Sequence, residues 1–384
     1  MPDIMSQTIY DVIVVGAGGM GSAAAFELAR RGRSVLALEQ FPLVHDRGSS
    51  HGHTRIIRRA YYEHPNYVPL VRRAFERWYD LEQRTGRHLL TECACLGIGP
   101  PDGEVVTGVL AAAREHRLAV DRLGPADLRV RFPQFQFDEG HVGVVERDAG
   151  FLYVEDCVLA HLDAARALGA TIQPEEPVTG WAARGDGATV TTTRGTYHAR
   201  RLVLTAGPWA GRLLGDRGRP LRVMRQTILW FGTADEAAFR RDRFPIFLAD
   251  VPAGPFYGLP AIDGRGLKVA RHYGAPELDG PEQVERAVRP ADERPVRDFL
   301  TTHIPGATGP LHYAQTCMYT LTPDRHFLID LHPDHSNVAV AGGFSGHGFK
   351  FSPVVGEILA DLVEAGRTGW PIDMFRFARL DRLA

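Results

Sequence analysis

A glycine turn close to the start of the chain constrains the fold more than any other feature. Tyr10 to Val15 (YDVIVV) is a short, mostly β-branched apolar run, the pattern of a buried parallel strand. Gly16-Ala-Gly18-Gly-Met-Gly21 follows at once and matches G-x-G-x-x-G. The alanine-rich MGSAAAFELARRG segment predicts a helix ended by Gly32, and Ser34 to Glu39 (SVLALE) predicts a second buried strand. Together these form a β-α-β unit of the dinucleotide-binding kind. In such a unit Gly16 permits the tight turn, Gly18 lets the backbone approach a pyrophosphate, and Gly21 allows close helix–strand packing. The helix N-terminus then faces the phosphates. Glu39 ends the second strand at the right distance to accept hydrogen bonds from ribose hydroxyls, and its charge disfavours the 2′-phosphate of NADP. Ser49 and Ser50, in Arg47-Gly-Ser-Ser50, are candidates for the adenosine or pyrophosphate side. The turn by itself does not separate FAD from NAD.

Composition excludes several other classes. A chain of 384 residues suits two domains, and 44% hydrophobic residues allow a large core. The net charge is -2, with arginines balanced by acids, so no nucleic-acid partner is expected. The first ten residues, MPDIMSQTIY, carry no basic run followed by an apolar one, and no window approaches the ~20 apolar residues of a membrane span. Cys93, Cys95, Cys157 and Cys317 are too few and too scattered for a disulfide scaffold. The expectation is a soluble cytoplasmic enzyme with reduced thiols and no membrane partner. The pairs His51/His53 and His332/His335 lack accompanying ligands at metal-site spacing, so no metal is expected.

Periodicity organises the rest. Val71, Phe75, Trp78 and Leu81 predict an amphipathic helix over Tyr67 to Thr85. Helices are also expected near Gly103–His116, Pro125–Arg131, Val154–Leu168 and Pro353–Ala365. Ala188 to Thr193, Arg201 to Thr205 and Val338 to Ala341 read as strands. From Leu221 to His272 the pattern is strand-like with frequent proline and glycine breaks, as in an antiparallel sheet. Within it, Lys268, Ala270 and His272 share one face of a strand. Cys93 and Cys95 are expected on one face of another, as core thiols. The predicted fold is α/β: a Rossmann-type dinucleotide-binding domain plus a second domain with a mixed or antiparallel sheet. The first domain is expected from residues 1–85, 150–215 and 320–384, the second from 86–149 and 216–319.

Three further segments carry unusual chemistry: Gly48-Ser-Ser-His51-Gly-His-Thr-Arg55-Ile-Ile-Arg58, Ala314-Gln-Thr-Cys317-Met-Tyr319-Thr, and Gly342-Gly-Phe-Ser-Gly-His-Gly-Phe-Lys350. If the first were helical, His51, Arg55 and Arg58 would lie near one face. With the glycine turn, and with HFLIDLHPDHSNV and AGGFSGHGFKFS near the end, these segments resemble the monomeric sarcosine oxidase and N-methyltryptophan oxidase family. That family belongs to the D-amino-acid-oxidase-like flavoproteins. The resemblance runs from about Tyr10 to Phe375.

The resemblance implies FAD as cofactor, bonded covalently to Cys317, with Gly346 and Gly348 beside it. It implies that His51 and Arg55 pack against the flavin ring, and that Arg58 and Lys350 bind a substrate carboxylate. Lys268 is implied to promote the reaction with O2, with His272 as an active-site histidine and Tyr257 and Tyr319 lining the pocket. The implied reaction oxidises a secondary amine such as sarcosine to an imine, which hydrolyses, while O2 becomes H2O2. The family's name implies a monomer. Three positions depart from its pattern: His53 where aspartate is common, Leu248 where a pocket methionine stands, and Arg271 where an aromatic residue is expected. They bear on substrate choice. A flavin dehydrogenase, an oxidase of cyclic or glycated amines, and an NAD-dependent dehydrogenase are the alternatives. Pocket size is expected to depend on loops at Ala60–Asn66 and Asp250–Gly258.

Overall fold

The computed structural model of the chain describes residues 9–185 and 187–383. Strands from both ends of the sequence meet in one sheet. Its centre is β1 (Ile9–Val15), followed by α1 (Gly19–Arg30) and β2 (Val35–Leu38). Val12 to Val15 and all of β2 are buried, because α1 and the C-terminal helix pack on one face while Ala183, Ala188, Val190 and Leu214 pack on the other.

Further elements that bear on the site, in chain order, are β3 (Thr54–Ile57), α2 (Val68–Thr85), β4 (Gly150–Tyr153), α3 (Val154–Ala167), β5 (Thr171–Gln173) and β6 (Thr196–Leu204). β5 pairs in parallel with β2, and β6 pairs in parallel with β1. The last strand of this sheet's parallel part, His335–Gly342, lies beside β6. Helix α1 is alanine-rich for a packing reason. Ala23, Ala24 and Ala25 are buried, and a Cβ on Gly356 of the C-terminal helix Ser352–Ala365 would sit 2.6 Å from the Ala23 backbone. Larger residues would force those helices apart.

The second sheet contains β7 (Arg222–Phe231), β8 (Ile246–Val251), β9 (Gly254–Leu259), β10 (Leu267–Arg271) and β11 (Leu311–Leu321). β7 pairs antiparallel with β10 and β11, and β9 joins β8 to β10 antiparallel. β8 also pairs in parallel with strand Cys95–Gly99, so the sheet is mixed. Phe135, Phe244, Phe247, Phe256 and Phe299 fill the core beneath it. A third, three-stranded sheet joins β3, β4 and strand Leu90–Glu92. The mixed α/β architecture is the one the sequence predicts.

Local expectations differ in four places. The His51–Arg58 segment is not helical: His51 lies in a turn and Arg55 on strand β3. Gly52 and His53 both have positive φ (+91° and +67°), which a helix does not admit, and Ile56 and Ile57 are β-branched. Cys93 and Cys95 do not share a strand. Ala94, with φ +61°, breaks the chain between Leu90–Glu92 and Cys95–Gly99, although both thiols join one apolar cluster. Asp250–Gly258 is mostly the β8–β9 hairpin rather than a loop. Strand β11, the longest at 11 residues, has no counterpart in the sequence prediction, because it mixes polar and apolar residues without a clean period.

Candidate active site

The glycine turn has the geometry its sequence demands. Gly16 has φ +90°, and a Cβ there would meet the Thr205 carbonyl at 2.6 Å. A Cβ on Gly21 would lie 1.7 Å from the Gly16 carbonyl oxygen, so helix and turn touch through backbone alone. Buried Glu39 braces the turn: Oε2 accepts from Ala17 N (3.0 Å), Oε1 accepts from Phe41 N (3.1 Å), and His45 Nε2 lies 3.2 Å away. Ser50 Oγ accepts from Gly19 N at 3.1 Å, and Ser49 Oγ donates to the Met318 carbonyl at 2.7 Å. A cavity of about 250 Å³ runs from this turn into the molecule, lined by Gly16, Gly18, Glu39, Ser49, Ser50, Gly346 and Gly348 among others. Gly21 stands behind that wall. These groups fit FAD: a helix N-terminus for pyrophosphate, a carboxylate for ribose, and a passage long enough to lead inward.

At the inner end, β11 presents Cys317 to His51 and Arg55. Arg55 Nη2 lies 3.5 Å from Cys317 Sγ and donates to the Ser49 carbonyl at 2.9 Å. Burial pushes the Cys317 thiol up, but the His51 imidazole and then the Arg55 guanidinium outweigh it and bring it down to about 6. Burial works against charge on His51 in the same way, and Cys317 more than offsets it, raising the imidazole. Each group thus favours the charged form of the other.

Lys268, on β10, is fully enclosed. Its Nζ donates to the carbonyls of Gly52 (2.8 Å) and Thr54 (2.7 Å) and to Thr54 Oγ1 (3.2 Å). Those oxygens are the partners that a buried ammonium requires. Burial, then Arg55, drives its pKa well below the usual lysine range, and Glu155 opposes them.

A second, smaller cavity of about 60 Å³ adjoins the first, and Arg55 and Tyr319 line both. Its wall also contains Arg58, Tyr257, Leu248, His272 and Lys350. His272 Nδ1 lies 3.1 Å from the Tyr319 hydroxyl, and burial brings His272 down to about 3, so it is neutral. Lys350 Nζ donates to the His347 carbonyl (2.7 Å) and the Tyr61 hydroxyl (3.3 Å). Trp78 of α2 donates Nε1–H to the Lys350 carbonyl at 2.9 Å and so anchors the lysine's backbone. Burial, then Arg58, lowers Lys350 to about 7 against the pull of Glu63. His51, Lys268 and Cys317 back these walls without lining them. Arg271 also lies off the walls and packs against Gly254 and Gly274.

Glu63 is a lining residue that the sequence analysis misses. Its Oε2 accepts from Arg58 Nη2 at 2.5 Å, and the guanidinium sits between the rings of Tyr61 and Tyr62 at 4.3 and 4.6 Å. Tyr61 and His347, joined at 2.7 Å, are likewise missed. One available signal lies in composition: Lys268 and Lys350 are the only lysines in the sequence, every other strong base being arginine. In a chain that otherwise uses arginine, two buried lysines mark positions where a compact, titratable cation is required.

A dinucleotide cradle opening onto a buried cationic chamber defines a cofactor-dependent enzyme of the mixed α/β class. The chain belongs to the DAO family of FAD dependent oxidoreductases, whose model matches residues 11–362. It is 44% identical to monomeric sarcosine oxidase of Streptomyces avermitilis, covering 98% of this chain and 99% of that one. It is 35% identical to N-methyl-L-tryptophan oxidase of Salmonella typhimurium, covering 97% and 100%. Among solved structures it is similar to NikD, an unusual amino acid oxidase essential for nikkomycin biosynthesis, with TM-score 0.85, 27% identity and coverage of 96% and 98%. Among the described residues, no helix is long and apolar enough to cross a membrane.

Proposed function

We propose that this protein is an amine oxidase that takes N-alkyl amino acids, sarcosine being the first to test. One observation carries the reading. Two buried cations, Arg58 and Lys350, line a small cavity that shares Arg55 and Tyr319 with the FAD cradle. A carboxylate held between them leaves the amine and its alkyl carbon toward the shared wall. The similarity to sarcosine and N-methyl-L-tryptophan oxidases supports the same class.

Bound FAD supplies the acceptor for the C–H electron pair and returns the electrons to O2 as H2O2. The chain's own residues bind, orient and neutralise. Arg58 exchanges Glu63 for the substrate carboxylate. The neutral His272 and the Tyr257 and Tyr319 rings wall off water beside the reacting carbon. Arg55, with His51 behind it, would hold positive charge beside the bound ring, and Lys268 would hold it on the side that O2 approaches. Cys317, with its thiol near 6 and Arg55 and His51 beside it, is suited to carry the flavin covalently. Residues 1–85, 150–215 and 320–384 would hold the cofactor, with 86–149 and 216–319 shaping the substrate side. The protein acts as a monomer, and its four free cysteines suit a reducing compartment such as the cytoplasm.

The test is anaerobic mixing of the purified yellow protein with sarcosine and with larger N-methyl amino acids. Bleaching of the flavin by one of them, followed by peroxide on admission of air, is the expected result. No bleaching with any N-alkyl amino acid would overturn the substrate class. Bleaching without peroxide would make the enzyme a dehydrogenase.

A further inference from the structure

The cradle that holds Lys268 is itself held by a residue outside both cavities. Gly52 and His53 form a turn with two successive positive φ values, +91° and +67°. The second is uncommon for a residue with a side chain and persists only where surroundings over-determine it. The determinant here is Glu155, in the first turn of α3. Its Oε1 accepts from Gly52 N at 2.8 Å and from His53 N at 3.1 Å. Val154 N donates to the His53 carbonyl at 3.0 Å, so the turn is pinned on both sides to the start of α3. Pinned in this way, the Gly52 and Thr54 carbonyls converge on Lys268 Nζ.

We infer that Glu155 is a positioning residue for Lys268: it fixes the strained Gly52–His53 turn whose flanking carbonyls carry the ammonium, and it supplies negative charge on that side. The groups facing Lys268 are Arg55 from β3, Cys317 from β11, Arg265 from the loop before β10 and Glu155 from α3. His53, which burial holds below the usual imidazole range, lies beside Glu155 and accepts from Arg265 at its Nε2. Arg55 and Arg265 disfavour the ammonium, whereas Glu155 favours it. Loss of the negative charge removes the compensation, and loss of the acceptor oxygen removes the geometry. The consequence for oxygen chemistry rests on the proposed role of Lys268. The positioning itself does not.

The experiment compares Glu155→Gln, Glu155→Asp and Lys268→Met with the wild-type holoenzyme. Flavin reduction by the amine and reoxidation by O2 are timed separately across pH. Isotope-labelled lysine NMR follows Lys268 directly, since only Lys350 adds a second signal. Glu155→Gln, which keeps an acceptor oxygen for the turn and removes the charge, is expected to slow reoxidation by about tenfold through a smaller ammonium fraction, with a smaller effect on reduction. The alkaline limb of reoxidation and the Lys268 titration should both move to lower pH, and Glu155→Asp should recover part of each. An unchanged Lys268 titration in Glu155→Gln overturns the inference. So does a drop in both half-reactions and melting temperature with no pH shift, which marks a structural role alone. If Glu155→Gln does not fold, Glu155→Asp is read in the same way, with a smaller shift expected. If Lys268→Met reoxidises like the wild type, the oxygen role of Lys268 fails, and the lysine titration still decides the positioning.

Discussion

Arg58 Nη2 sits 2.5 Å from Glu63 Oε2, inside the cavity proposed to receive a substrate carboxylate. The protein thus carries an internal carboxylate on its own carboxylate-binding arginine. Ligand entry becomes an exchange of partners and not the burial of a bare ion, so neither guanidinium nor chamber is left uncompensated before substrate arrives.

Breaking that pair should be costly. Burial opposes charge on Glu63, but Arg58, His347 and Lys350 hold its carboxyl down at about 2, below the ordinary 4.5. A depressed acid stabilises the fold fully above about 4.5, and the contribution disappears as pH falls through about 2. Glu63→Gln should destabilise by about 3 kcal/mol at neutral pH, the lower end for one partner removed from a buried pair. Thermal melting between pH 2 and pH 7 checks this, and a small carboxylate ligand should restore more of the variant's melting temperature than of the wild type's.

Lys350 should make carboxylate binding pH-dependent. Its ammonium is lowered to about 7 from 10.5, so the native state sheds this proton before the unfolded chain does. Stability again rises with pH, as for Glu63, but here the charged form is a cost: it is present below about 7 and is relieved as pH rises toward 10.5. Binding of a carboxylate inhibitor, followed by flavin spectral perturbation, should weaken as pH rises above about 7 in the wild type. Lys350→Met should bind weakly at every pH and lose that dependence.

Cys317 should govern flavin attachment. With a thiol near 6, covalent incorporation into flavin-depleted protein should accelerate as pH rises through about 6 and then level off. In Cys317→Ser, acid precipitation should release the yellow colour to the supernatant, while wild-type colour stays with the pellet. His51→Asn should slow attachment by raising the thiol pKa. Release of flavin from wild-type protein by acid would remove the covalent link from the proposal.

Two glycines of the nucleotide turn should fail differently. An added Cβ at Gly21 meets backbone at 1.7 Å, whereas one at Gly18 meets only Ser50 Oγ at 3.5 Å. Gly21→Ala should lose stability by at least about 3 kcal/mol, the upper range of overpacking. Gly18→Ala should fold with a near-normal melting temperature and bind FAD more weakly, because the methyl stands where the backbone is expected to approach the pyrophosphate. Calorimetry and flavin content of the two variants separate these effects.

Local chemistry was legible in the sequence wherever neighbours along the chain decide the outcome. The β1 turn and α1 follow from apolar runs punctuated by glycine, and the buried Val71, Phe75, Trp78 and Leu81 of α2 follow from a period near 3.6. The lining glycines, Arg58, Lys350 and the tyrosines stand out as residue types, although no spacing brings Arg58 near Lys350. Tertiary structure decided the rest, because it depends on partners far apart in sequence. β11 becomes a strand by pairing with β7 across some ninety residues, which overrides its mixed pattern. Gly52 and His53 adopt left-handed backbone because Glu155, about a hundred positions on, captures their N–H groups. Lys350 and Cys317 both shift down, to about 7 and about 6, with opposite consequences for their charge, because the buried ammonium faces Arg58 and the buried thiol faces His51 and Arg55. Burial disfavours charge on both groups, and the positive neighbours that folding brings into contact oppose the ammonium and favour the thiolate.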